Sequence, residues 1–388
     1  MIKALLFDFD GLIMDTESPE VEAWQTIYTE YGQEFPLQVW IREVVGSTAS
    51  NFDPAAHLIA LSGQPLDPSE LWGRERIWRL DKQSRLGAMP GVADYVRTAR
   101  RLGLRLAVVS SSKRAWVEGY LHQLALLDGF ELIKCCEDVQ HVKPDPELYL
   151  ATLEALQLQA GETLAFEDSP NGILAAKRAG LRVVAVPNPI TAQTEIRGTD
   201  LLLSSLADLP LEKLLVRFDL EIHPEAADDI AEIRRVEQSA FDRTTEADLV
   251  DLCRQRGQSA LSLVAVLEGR IVGHLLFTPL TMFPPAPGLR GLGLGPVAVL
   301  PELHGQGIGS RLILEGLEQC DRQGVDFVVL LGDPRYYTRF GFIPGREFGL
   351  SSEYGDGDEF QARELRPSAL RGIRARVKYV PEFAETGC

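Results

Sequence analysis

The sequence predicts an α/β protein: a doubly wound parallel sheet carrying a helical cap, followed by a mixed α+β domain. Three observations predict it. Helix-then-strand units recur over residues 90–186, the alternation that builds a parallel sheet. A helical block at 18–86 interrupts that pattern directly after the first strand. Beyond position 215 the texture changes to hairpin-forming strands around one glycine-rich strand-to-helix turn. The expected boundaries are 1–215 for the first domain, with the cap at about 16–88, and 216–388 for the second.

A chain of 388 residues with 45% hydrophobic and 24% charged side chains can build two or three sizeable cores. Its formal net charge of −17 argues against nucleic acid or an anionic membrane as the main partner. An anionic substrate then needs local positive charge or a metal. The cysteines at 135, 136, 253, 320 and 388 show neither metal-ligand spacing nor a paired framework, so reduced thiols in a cytoplasmic protein are expected. The N-terminal apolar run is broken by Asp8 too early for a signal peptide, and no stretch has the length of a membrane span.

In chain order, Ala4–Phe7 reads as a strand buried on both faces, with Asp8 and Asp10 where it emerges. Carboxyl ends of parallel strands are where ligands bind, although one such acid alone also reads as a turn former before Gly11. The block 18–86 is helical, rich in Trp, Glu and Gln, and broken at Pro36, Pro54, Pro65 and Pro68. Then follow helix 92–102 and strand 104–109, and helix 113–127 with strand 131–134. A helix starting at Asp145 and Pro146 carries Leu148, Leu153 and Leu156 inward. Strand 163–166, a helix 169–179 closed by Gly180, and strand 182–186 complete the sheet. Inserted after the first strand, the helical block can lie over the strand ends.

Four of those ends carry polar residues of one chemical kind: Asp8 and Asp10, Ser110 in AVVSSS, Lys143 in VKPDP, and Glu167-Asp168-Ser169. Together they suit phosphoryl transfer. Asp8 would attack phosphorus and form an aspartyl-phosphate. Asp10 would protonate the leaving oxygen and then activate water. Ser110 and Lys143 would hold phosphoryl oxygens, and Mg²⁺ would be bound by Asp8, Glu167 and Asp168 with a backbone carbonyl. Taken singly, Ser110 reads as a helix cap, Lys143 as a solvated loop residue and Glu167-Asp168 as partners of a helix dipole. Their joint order favours a site.

Through DFDGLIMDTE, VVSSS, VKPDP and FEDSPNGI, residues 1 to about 210 resemble the haloacid dehalogenase superfamily of phosphohydrolases, in the branch containing β-phosphoglucomutase and sugar-phosphate phosphatases. The resemblance implies a doubly wound core with a helical cap, Mg²⁺ dependence, Asp8 as nucleophile and Asp10 as acid/base. It also implies the Asp10 carbonyl as a metal ligand. Asp10 argues against the dehalogenase and phosphonate-cleaving branches, which lack it. Mutases carry a cap arginine and a histidine where VVGSTASN and TESPEVEAW place Ala49 and Glu20. Without cations to hold a second phosphate, a phosphatase is expected rather than a phosphomutase.

In the second domain, 226–241 reads as an amphipathic helix, 261–267 and 271–278 as a hairpin turning at Glu268-Gly269, and 283–295 as a Pro/Gly-rich loop. In LGPVAVLPELHGQGIGSRLILEGLEQC a strand at 295–300 runs through a glycine-rich turn into a helix with Ile308, Leu312, Ile313 and Leu317 inward. Gly305, Gly307 and Gly309 would present amides at a helix start, a cradle for pyrophosphate; a tight turn with close helix packing is the plainer alternative. Dinucleotide folds place such glycines after the first strand of a βαβ unit, whereas here they follow antiparallel strands.

Residues from about 220 to 388 resemble the Gcn5-related N-acetyltransferases (GNAT), HGQGIG matching their coenzyme loop with His304 where Gln or Arg is usual. The resemblance implies that the Gly305, Gln306, Gly307, Ile308 and Gly309 amides hold the pyrophosphate of acetyl-CoA. It also implies that the Val297 and Val299 backbone pairs with pantetheine, and that Tyr337 of YYTRFGF protonates the departing thiolate. Glu246, Asp333 and His274 are candidates for the base, none singled out. Two expectations follow. One is a bifunctional enzyme, a Mg²⁺-dependent phosphatase of a small phosphorylated metabolite joined to an N-acetyltransferase of a small amine. The other makes the second domain a non-catalytic acetyl-CoA sensor that regulates the phosphatase.

Overall fold

The structure, a computed structural model, describes residues 1–45 and 52–388. These divide into two compact units, Met1–Leu215 and Val216–Cys388.

In the first unit, strand β1 (Ala4–Phe7) has no exposed side chain, as a strand covered on both faces requires. Among the described residues, helices α1 (Glu17–Glu30), α2 (Leu37–Glu43), α3 (Pro54–Ser62) and α4 (Pro68–Gln83) follow it. Pro36, Pro54 and Pro68 mark helix starts, and Pro65 lies in the loop between α3 and α4. Asp53 and Asp67 accept backbone N–H bonds ahead of Pro54 and Pro68. Around Trp24, Tyr28, Phe35 and Trp40 this insertion buries a core of its own, so it is a cap rather than a surface loop.

The chain then alternates as α5 (Val92–Arg101), β2 (Arg105–Val109), α6 (Arg114–Gln123), β3 (Leu132–Lys134), α7 (Glu147–Leu156), β4 (Thr163–Glu167), α8 (Pro170–Arg178), β5 (Arg182–Ala185), β6 (Leu201–Leu202) and α9 (Leu211–Asp219). All pairings in the sheet are parallel, in the order β3-β2-β1-β4-β5-β6. Phe7 lies opposite Val108 on one side and Phe166 on the other, and the Phe7 and Phe166 rings stack at 4.7 Å. Asp8 therefore leaves the sheet level with Val109 and Glu167.

The second unit opens with β7 (Glu221–Pro224), α10 (Ile230–Phe241), α11 (Thr245–Gln255), β8 (Leu261–Leu267) and β9 (Arg270–Phe283). The sequence pattern singled out no helix at α11. It continues with β10 (Gly291–Val299), α12 (Ile308–Arg322), β11 (Phe327–Leu331), α13 (Pro334–Tyr337), β12 (Ile343–Pro344), β13 (Leu350–Ser352), β14 (Phe360–Glu364), β15 (Ala375–Tyr379) and α14 (Glu382–Thr386). A mixed sheet runs β12-β14-β11-β10-β9-β15-β13, with β8 pairing β9 and β7. The hairpin turns at Glu268 and Gly269, φ 55° and 74°, the pair of left-handed residues a type I′ turn needs.

The loop expected over 283–295 is shorter. β9 continues to Phe283 and β10 begins at Gly291. Gly291 and Gly293, which read as loop signals, are strand positions where rings lie on the backbone. A Cβ at Gly291 would stand 2.3 Å from the Phe327 ring, and one at Gly293 2.7 Å from the Tyr379 ring.

β10 pairs with β11 only over Gly291–Gly293, and its register against β9 shifts between Leu294 and Val297. Beyond Gly293 the two parallel strands part, leaving a cleft beside Val297 and Val299. All five cysteines are free thiols, and no described helix is long and apolar enough to cross a membrane.

Candidate active sites

The register of the parallel sheet brings the first site together. Lys143, on the loop before α7, donates from Nζ to Asp8 Oδ1 and Glu167 Oε1 at 2.6 Å each, and to the Val109 carbonyl at 2.7 Å. An ammonium has three donors, so this one is saturated. In this arrangement Lys143 holds the carboxylates in place and offsets their charge. Tyr149 of α7 also donates to Glu167 Oε1.

Asp8, Glu167 and Asp168 each offer a carboxylate oxygen, all within 4.8 Å of one another and all buried. Burial pushes the Asp8 carboxyl up to about 8 although Lys143 pulls it down. Burial, with the charges of Glu17 and Asp8, raises Asp168 well above the usual carboxylate range. One ammonium thus stands against three desolvated acids, a donor set suited to a hard divalent cation. Glu167 Oε2 is buried without a hydrogen-bond partner, and it is available to such an ion. Gly172 makes room for it, since a Cβ there would lie 1.9 Å from that oxygen.

The Asp10 side chain is not in this cluster. Its Oδ1 accepts from Thr16 Oγ1 at 3.1 Å and Trp116 Nε1 at 3.0 Å; its Oδ2 accepts from Ser112 Oγ at 2.6 Å and Ser110 Oγ at 3.3 Å. Four donors fix its orientation. Ser110 also accepts the Ser112 N–H at 3.0 Å, so it organises the loop that holds Asp10.

Trp116, Tyr149 and Asn188, which donates to Asp168 Oδ2 at 2.9 Å, follow no motif spacing, whereas Thr16 and Ser112 lie inside DFDGLIMDTE and VVSSS without being singled out there. A cavity of about 400 Å³ lies over these groups, closed on the cap side by Glu17, Glu20, Val44, Arg79 and Gln83. Arg79 is paired to Glu75 at 2.6 Å. Ala49, the other cap position of interest, lies outside the described residues.

The second site forms where β10 leaves β11. A cavity of about 470 Å³ is lined by Val297 and Val299, by Gly305, Gly307, Ile308 and Gly309, and by Tyr336, Tyr337 and Arg339. Gly305 and Gly307 take φ of 75° and 87°, the left-handed region that favours glycine. Gly309 lets the Tyr336 hydroxyl approach, 3.2 Å from where a Cβ would be. Gln306 does not line this cavity.

His304 is bonded through Nε2 to the Val299 carbonyl at 2.8 Å. It therefore ties the glycine loop to the strand and occupies that carbonyl. Arg339, a cation at the cavity's edge, was not anticipated. Tyr337 lines this cavity and a neighbouring one, and burial pushes its phenol up to about 12. Of the candidate bases, Asp333 caps α13 and pairs with Arg335 at 2.8 Å. His274 is fully buried between Glu237 and Ser262, 2.6 and 2.9 Å away. Glu246 lines a cavity.

Comparison with known proteins matches each unit to a family. The family model of the haloacid dehalogenase-like hydrolases matches residues 5–186, and that of the acetyltransferase (GNAT) domain matches residues 221–345. YhcW of Bacillus subtilis (strain 168), named as a phosphatase, is 45% identical over 215 residues, 55% of this chain and 97% of that protein. YhbS of Escherichia coli (strain K12), named as an uncharacterized N-acetyltransferase, is 34% identical over 172 residues, 44% of this chain and 98% of that protein. The crystal structure of Escherichia coli YhbS in complex with CoA is 32% identical, covers 43% of this chain and 92% of that one, and has a TM-score of 0.41.

Proposed function

The chain belongs to the haloacid dehalogenase-like hydrolases through its first unit and to the GNAT acetyltransferases through its second, and from that premise we propose that it is a bifunctional enzyme. The first unit hydrolyses a small phosphate monoester through an aspartyl-phosphate. The second transfers acetyl from acetyl-CoA to a small amine.

The observation that carries the first half is Lys143 at 2.6 Å from both Asp8 and Glu167, which holds the Asp8 carboxylate fixed for attack. An Asp8 oxygen bonds to phosphorus while the ester P–O bond breaks, and Asp10 gives its proton to the leaving oxygen. Water then gives a proton back to Asp10 as its oxygen attacks phosphorus, releasing phosphate and free Asp8. Asp8, Glu167, Asp168 and the Asp10 carbonyl would hold a divalent cation, most simply Mg²⁺, which would supply charge neutralisation at the phosphoryl oxygens. Trp116, Thr16, Ser110 and Ser112 keep Asp10 turned toward the leaving group. The cap supports hydrolysis over mutase chemistry, because Glu17 and Glu20 face the cavity where a second phosphate would sit and the cap cation beside them, Arg79, is already paired to Glu75.

In the second unit the left-handed Gly305 and Gly307 turn amides toward the start of α12, a site suited to pyrophosphate. The unpaired edge of β10 at Val297 is free to pair with pantetheine. The amine nitrogen bonds to the thioester carbonyl carbon, the C–S bond breaks, and the Tyr337 hydroxyl proton passes to the thiolate. The position of Tyr337 between two cavities supports catalysis over sensing. A screen of phosphorylated metabolites with and without Mg²⁺, with mass analysis of the quenched protein for a phosphoryl adduct on Asp8, tests the phosphatase. Hydrolysis with no adduct on Asp8 in any substrate would refute the mechanism.

A further inference from the structure

Next to the coenzyme cavity the second unit carries a smaller one of about 260 Å³, and the two share Phe241, Val297 and Tyr337. Its walls are aromatic. The Tyr354 and Tyr379 ring centroids lie 5.8 Å apart, and those of Tyr379 and Phe383 5.1 Å apart. Two charged side chains line it, Arg243 and Glu246, and they pair with each other. Arg243 Nε donates to both carboxylate oxygens at 3.0 and 2.9 Å, and Glu246 is the buried partner, at 6% exposure.

The Tyr379 hydroxyl is buried with no hydrogen-bond partner, a desolvation cost that phenylalanine would avoid. Its position is built into the strand. The ring lies on Gly293, where a Cβ would come within 2.7 Å of it.

We infer that this cavity receives the acetyl acceptor, and that the acceptor is a small primary amine on an apolar body, aromatic or branched; the inference rests on the acetyltransferase reading above. A primary ammonium offers three N–H donors, and two acceptors wait for it. Glu246 has lone pairs beyond those Arg243 uses, and the Tyr379 oxygen is unengaged. Aromatic faces around a buried carboxylate attract a cation.

An amino sugar or a polyamine would bring hydroxyls or further charges that such walls leave unsatisfied. The volume falls below the roughly 300–1,000 Å³ of sites for drug-sized ligands, which fits a small amine. Over the reaction the ammonium loses two protons. One replaces the proton Tyr337 gave to the thiolate and the other leaves to solvent, so the products are the N-acetyl amine, free coenzyme A and one proton.

The test uses the full chain with acetyl-CoA, thiol release as readout, and phenethylamine, isoamylamine, glucosamine, spermidine and a lysine-containing peptide as acceptors. The expected result is a kcat/KM about tenfold or more higher for the two apolar monoamines. Tyr379→Phe and Glu246→Gln should each raise the amine KM about fivefold or more while leaving the acetyl-CoA KM unchanged. Tyr379→Phe removes only an unpartnered hydroxyl, so it folds, and a thermal unfolding curve verifies that.

Preference for glucosamine, spermidine or the peptide, or an unchanged amine KM in Tyr379→Phe, overturns the inference. Should no amine turn over, phenethylamine is titrated calorimetrically into the protein loaded with coenzyme A. Binding that Tyr379→Phe weakens sustains the amine site and defeats the transfer reading, whereas no binding overturns the site itself.

Discussion

Lys143 Nζ stands 2.6 Å from Asp8 Oδ1, and both residues are buried. Removing one partner of a buried ion pair leaves the other uncompensated, at a cost of about 3–5 kcal/mol. Lys143→Met should therefore destabilise the first unit by that amount. It should also lower phosphatase turnover by about 10²-fold or more, as loss of a preorganised charge at a reaction centre does. All five tryptophans, at 24, 40, 72, 78 and 116, belong to the first unit, so urea unfolding followed by tryptophan fluorescence reports on it alone. A variant of native stability and turnover would remove Lys143 from the account.

Trp116 reaches Asp10 Oδ1 from α6 at 3.0 Å. A hydrogen bond to a charged group is worth about 1.5–3 kcal/mol. If that energy serves to aim Asp10, Trp116→Phe should lower kcat about 10–100-fold and leave KM nearly unchanged. A KM effect with native kcat would make Trp116 a substrate contact instead.

Burial pushes the Glu20 carboxyl up to about 7 from 4.5, against the pull of Arg79. A carboxyl whose folded-state value is raised holds its proton more tightly when folded. Its contribution to stability is complete below pH 4.5 and is lost as pH rises toward 7. Tryptophan-monitored unfolding should show stability falling across that window by up to about 3 kcal/mol from this group. Glu20→Gln should flatten the fall, and an unchanged slope would count against it.

The Tyr336 hydroxyl lies 3.2 Å from where a Cβ at position 309 would be, so the ring must shift by a few tenths of an ångström to admit one. Gly309→Ala should push the tyrosine away from the start of α12 and raise the acetyl-CoA KM about five- to tenfold, with phosphatase kinetics unchanged. Steady-state assays of both activities on one preparation check this.

Much of the first site is legible in the sequence, because parallel strands end level with one another. Asp8, Ser110, Glu167 and Asp168 each follow an apolar run, and the register of Phe7 with Val108 and Phe166 makes neighbours of residues about a hundred positions apart. The groups that aim them are not legible. Trp116 and Tyr149 sit on helices whose rotation about the sheet no spacing rule fixes, and Asn188 lies on a loop beyond β5.

Lys143 is half legible, since its place follows from VKPDP but its saturation by three acceptors follows only from coordinates. In the second unit HGQGIG marks the loop. Gly291 and Gly293 misread as loop because a ring pressed on a strand and a flexible turn both demand glycine. The acceptor cavity draws on Phe241, Glu246, Tyr354 and Tyr379, which no local pattern unites.

The central claim is that two independent chemistries share one chain, and a paired measurement on two variants tests it most directly. Phosphate release and thiol release from acetyl-CoA are followed in the same preparations of Asp8→Asn and Tyr337→Phe. The account predicts that Asp8→Asn abolishes phosphate release and keeps thiol release, and that Tyr337→Phe does the reverse. Phosphate release that survives in Asp8→Asn, or thiol release that survives unchanged in Tyr337→Phe, would contradict it.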